Sequence, residues 1–211
     1  MARRFVHDSQ LRSSVSLSLG TAIHALYTML QGVLALVLRS GWQGALFGYH
    51  AILTLMQLVL FRADRRRLDE RRAWQWYGVV GALLIPLAGS IQVLLVRFLL
   101  RGQSFSYPGF MIYATAAYSF YSLTAGGIQL IRRRTAEMPL LRAALNVRFS
   151  AALMSMLALQ TALISTFGEP GAFQQCMNTL TGSAVCMAIL TTAIWMLKNT
   201  HRYFKAKEES I

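Results

Sequence analysis

Two histidines stand inside long apolar stretches, His24 in GTAIHALYTMLQG and His50 in LFGYHAILTLM. An imidazole titrates near neutrality and binds metals, so a buried pair has three uses. It can hold one haem through two axial nitrogens, it can relay a proton, or each ring can stay neutral and satisfy one hydrogen bond. The third use asks least of the surroundings, and nothing else in the sequence carries a redox signature.

A second group lies in YPGFMIYATAAYSFYSL, residues 107–123, where four tyrosines interrupt small and apolar residues. On a helix, Thr115, Ser119, Ser122 and Gly126 fall on one stripe, with Tyr118 and Tyr121 beside it and Tyr113 further round. Such stripes let helices approach closely, with hydroxyls bonding across to a neighbour. They also suit a binding site for a flat or amphipathic molecule, because tyrosine offers an apolar face and one hydrogen bond. The candidate solute-binding residues are therefore Tyr113, Tyr118, Tyr121, Gln129, Ser155 and Gln160. Arg148, about two turns into its segment, joins them as a fixed positive charge for an anionic group, or else snorkels to the interface.

The missing residues narrow the chemistry. All eight acidic residues lie in tails, loops or segment ends. Most ion-coupled carriers use an intramembrane carboxylate, and histidine is the available substitute. No metalloprotease, nucleophile-elbow or phosphate-loop motif is present, and no enzyme is expected. Cys176 and Cys186 are ten residues apart on one segment, on different faces, and read as free thiols. Neither a metal site nor a cofactor is expected.

These residues must be positioned by the apolar segments that contain them. The chain is 211 residues long, 55% hydrophobic and 14% charged, where a soluble domain carries about 25%. Six segments, roughly 14–38, 43–61, 75–100, 108–131, 142–167 and 173–197, are long enough to cross a bilayer. The reading is an all-α polytopic membrane protein of six transmembrane helices in a single domain, 1–211. The first segment is too long for a signal peptide core and reads as an uncleaved span.

The net charge of +13 invites nucleic acid, but its distribution argues against it. Eighteen of the twenty-one basic residues fall on one side of the alternating segments, and only Arg39, Arg97 and Arg101 on the other. The positive-inside rule then places both termini in the cytoplasm. Trp42 and Tyr107 read as anchors at the outer boundary, and Trp74, Trp76 and Trp195 at the inner one. Pro108 suits a first helical turn. The basic segments Arg62–Arg72 and Arg132–Arg134 fix topology and offer a surface for anionic lipid headgroups.

The segments also pair on paper into three hairpins. Gln31, Gln92 and Gln160 stand toward the outer end of each first member. Trp42, Tyr107 and Phe173 begin each second member. A three-hairpin repeat is one reading, and topology alone produces part of the same pattern.

YPGFMIYATAAYSFYSL, the basic loop with Met138-Pro139, and LNVRFSAALMSMLALQTALISTFG together resemble an uncharacterised family of six-span integral membrane proteins from Gram-positive bacteria. The likeness is clearest over 75–197. It implies a bacterial plasma-membrane location and carries over no ligand or catalytic residue. The functional expectation is a transporter or permease-like protein with a tyrosine- and glutamine-lined cavity among the last three spans. The rival is a non-transporting scaffold or sensor subunit, or a homo-oligomer, that packs through its small-residue faces.

Overall fold

The computed structural model describes residues 9–66, 68–100, 109–132, 138–168 and 171–209. Tyr107, Pro108, Arg67, Arg101, Arg133 and Arg134 lie outside them, so the readings placed on those residues have no structural counterpart here. Among the described residues every element is a helix: α1 (Ser9–Leu38), α2 (Gly41–Arg65), α3 (Glu70–Leu100), α4 (Gly109–Arg132), α5 (Pro139–Phe167) and α6 (Ala172–Glu208).

The helix ends follow local chemistry. Arg39 has φ 48, the left-handed conformation that closes a helix, and it stops α1 where glycine is the usual residue. Ser40 then caps α2 by accepting from the Gln43 N–H at 3.5 Å. Pro139 opens α5 at a position where its missing N–H costs nothing. Several helices outrun the expected segments. Arg62 and Arg65 belong to the last turn of α2, and Glu70 opens α3, so the arginine-rich segment is largely helix extension rather than loop.

Five helical stretches are long and apolar enough to cross a bilayer: Ser18–Leu38, Gly41–Arg65, Glu70–Arg97, Pro139–Phe167 and Ala172–Glu208. α4, with 24 residues, is about 36 Å long and so of spanning length, but its tyrosines and hydroxyls dilute its apolar character and leave it outside that group. Large apolar side chains cover the outer faces, among them Leu26, Met29 and Leu36 on α1, Leu55 on α2, Phe120 on α4 and Met187 on α6. A soluble monomer rarely exposes so much apolar surface. The architecture is compatible with an integral, polytopic all-α membrane protein.

α5 is the hub. It packs against α2, α3, α4 and α6, and buried residues occupy all round its circumference. The other principal pairs are α1 with α2 and α3 with α6. The last pairing corrects the three-hairpin expectation. α3 and α4 make no substantial contact among the described residues, and α3 instead runs antiparallel to α6. Along that seam Trp74 stacks on Tyr203 at 4.9 Å, a Cβ on Gly81 would press on Met196, and Gln92 donates to Ser183 at 3.1 Å. Further along, Gly182 leaves room for Leu95. Glycine and other small residues on the two helices let them close together, and no comparable surface joins α3 to its sequence neighbour.

Trp42 is a second correction. It is 1% exposed, one of the largest fully buried side chains, and packs in the core rather than anchoring an interface. Trp76 and Trp195 are exposed at 37% and 42%. Of the two free thiols, Cys176 is exposed and Cys186 buried, its Sγ donating to the Ala88 carbonyl at 3.6 Å.

Candidate functional site

The two histidines meet. His24 lies on α1 and His50 on α2, and His24 Nε2 is 3.0 Å from His50 Nδ1, with the rings edge to face. They are 2% and 0% exposed. The short α1–α2 turn forces the two helices antiparallel, and both histidines sit on the contact face. The arrangement is that of a hydrogen-bonded pair.

At the same level of the antiparallel seam, Thr28 and Thr54 make a second contact across it, with their Oγ1 atoms 3.0 Å apart. Each is also placed to donate to the carbonyl four residues back, at 2.8 Å. Two hydroxyl hydrogens serve three contacts, so a bond across the helices is made only when one threonine gives up its own-helix bond.

Tyr118 of α4 closes over this pair. Its ring stacks on Tyr27 at 3.8 Å and on His24 at 6.1 Å. Below it lies a cleft lined by His24, Gln57, Tyr118, Tyr121, Ser122 and Arg148. Arg148 reaches in from α5, and its Nη1 donates to Gln129 Oε1 at 2.9 Å. Its guanidinium lies against Gly20 of α1, where a Cβ would overlap it directly. This is the one position on α1 where glycine is required by close approach to the site. The cleft has a volume of about 20 Å³, room for about one water molecule.

The expected site residues therefore divide. Tyr118, Tyr121, Gln129 and Arg148 come together, joined by His24. Ser155 lies just behind, its Oγ 3.2 Å from that of Ser122. Ser119 ties the same helices by donating to the Ser155 carbonyl at 2.8 Å. Tyr113 and Gln160 do not join them. Tyr113 is 78% exposed on the outer face of α4. Gln160 turns to α6 and donates to the Met177 carbonyl at 3.2 Å. The cleft is built by α1, α2, α4 and α5 rather than by the last three helices, because α6 is taken up by α3.

Sequence reasoning missed Gly20, Tyr27 and Gln57. A signal for Gln57 existed. Gln43, His50, Thr54 and Gln57 follow seven-, four- and three-residue steps, which place them on one face of α2. All four are buried. Thr21, His24, Thr28 and Gln31 do the same on α1.

No protein-family model matches the chain, and no curated protein matches it.

Proposed function

We propose that the chain is a six-span plasma-membrane protein with both termini cytoplasmic, and that it is transporter- or permease-like. It takes a small anionic or amphipathic solute at the cleft between α1, α2, α4 and α5. One observation carries this reading. Arg148 is drawn inward onto Gly20 and Gln129, at a cleft whose other walls are a histidine, a glutamine, two tyrosines and a serine. A snorkelling arginine needs none of these neighbours. Intramembrane charge is costly, and its retention against built surroundings marks a substrate path. In this reading Arg148 and Gln129 hold the anionic end, and Tyr118 and Tyr121 offer their faces to the apolar part. The cleft admits about one water in this state, so loading a solute requires α1 or α4 to move.

The small-residue stripes support the same choice over a scaffold. Thr115, Ser119, Ser155, Ala158 and Ala162 are all 0% exposed, taken up by helices of the same chain. These residues are therefore not available to a partner. The resemblance to Gram-positive six-span proteins fits a bacterial plasma membrane, and the basic helix ends Arg62, Arg65, Arg71 and Arg72 suit anionic headgroups.

The test is native mass spectrometry of the protein released gently from its own membrane. A defined extra mass, retained by the wild type and lost in Arg148→Gln, is expected. A co-released partner protein or a fixed multiple of the chain mass, unchanged in that variant, would favour the scaffold.

A further inference from the structure

We propose that the α1·α2 seam is a proton path, with the His24–His50 pair as its central relay. The two facing stripes, Thr21, His24, Thr28 and Gln31 against Gln43, His50, Thr54 and Gln57, are buried and polar along their length. An ordinary helix seam of this spacing is apolar. Hydrogen bonding between the helices explains part of it, through the histidine and threonine pairs. It does not explain the rest. His50 Nε2, Gln31 Oε1 and both amide atoms of Gln43 are buried without a hydrogen bond among the described residues, while His24 is partnered by Gln57. Each such group is expensive unless it is satisfied, and in a bilayer water is the partner that remains.

The order of these groups is that of a wire. At one end Gln57 and His24 line the cleft, which has room for about one water. In the middle the two imidazoles are bonded to each other and present their outer nitrogens, Nδ1 of His24 and Nε2 of His50. Toward the other end stand Gln31, bonded to the Tyr27 hydroxyl at 2.6 Å, and Gln43 beside the α1–α2 turn. The titratable and charged groups around the pair are Tyr27 on α1, Tyr49 on α2, Tyr118 on α4 and Arg148 on α5. None is a carboxylate, so no fixed negative charge traps the proton on the rings.

The transfer balances with no other reactant. Both rings start neutral, with hydrogens on His24 Nε2 and His50 Nε2. A proton from the cleft binds His24 Nδ1. The His24 Nε2 proton then passes to His50 Nδ1, and His50 releases its Nε2 proton toward Gln43. One proton has entered and one has left. Both rings are then neutral Nδ1–H tautomers, and water-mediated exchange of each ring's hydrogen between its two nitrogens restores the starting state with no net proton moved. The relay does not depend on the proposed solute at Arg148, although both use His24.

The experiment uses the purified full chain in liposomes with a potassium-valinomycin potential and an internal pH dye, without added solute. Wild-type vesicles are expected to take up protons faster than protein-free vesicles. His24→Gln and His50→Gln should each lose that excess, because glutamine still bonds across the helices but does not titrate. Wild-type uptake equal to that of protein-free vesicles, or uptake retained in both glutamine variants, overturns the relay. A second readout needs no variant. In ¹⁵N-histidine-labelled wild type in bilayers, the His24 and His50 ring hydrogens are expected to exchange with water, and rings that stay protected contradict the proposal. Mass spectrometry of Arg148→Gln tests the solute site separately, so the two readings can fail independently.

Discussion

The two flanks of α5 are built on different principles. On one side α3 and α6 close chiefly with apolar and small residues: Leu84, Leu95 and Ile189 are buried, Gly81 and Gly182 admit the opposing side chains, and Tyr77, Asn178 and the Gln92–Ser183 hydrogen bond are the polar exceptions. On the other side α1, α2 and α4, with Arg148 of α5, bring together two histidines, two stacked tyrosines, Gln57 and Gln129. Tight dry packing gives a membrane bundle its rigidity. Buried polar groups are costly in a bilayer, so their concentration on the α1·α2·α4 flank is what the proposed function rests on.

Substitutions on the two flanks should therefore part stability from function. The largest loss of stability is expected from Leu157→Ala, since this fully buried side chain of α5 lies against the α6 flank near Gly182. The cost should be about 2–5 kcal/mol in detergent unfolding. Gly81→Val comes next. A Cβ there would sit 2.9 Å from the Met196 Cβ and 3.2 Å from the Ala193 carbonyl oxygen, and overpacking should cost about 1–3 kcal/mol. Neither change should shift solute retention per folded molecule.

Gly20→Ala makes the sharpest contrast with Gly81→Val. The new methyl group meets the movable end of Arg148, so stability should fall by less than about 1 kcal/mol. The arginine is pushed off its seat, and solute retention should drop as in Arg148→Gln, read by native mass spectrometry. The smallest effect is expected from Ser119→Ala, which removes one interhelical hydrogen bond worth about 0.6 kcal/mol in a membrane.

Much of this division was legible in the sequence, and part was not. The apolar segments marked the helices, and the short connection between the first two, 14–38 and 43–61, let His24 and His50 be read as a pair. Tyr118 and Arg148 were singled out by type and position. The α3·α6 pairing was hidden because periodicity shows which face of a helix is sticky but not which distant helix it meets. That missing partner is why Gln160 was placed in the cleft and α6 among its walls. Trp42 looked interfacial because its place at a segment boundary is the same whether it faces lipid or core. Tyr113 was drawn in by its type, though its angular offset from the serine stripe already set it apart.

The direct test of the two-flank account is thiol accessibility. In a Cys176→Ser background, Cys186 remains as a buried reporter on the α3·α6 flank, and Ser122→Cys places a second thiol at the cleft. A small anionic thiosulfonate, added to vesicles from the side of the arginine-rich helix ends, should modify the thiol at 122, and faster than a cationic analogue does, because Arg148 lines the same cleft. Cys186 should stay unmodified. Equal labelling of both thiols, or labelling of Cys186 alone, would contradict the account.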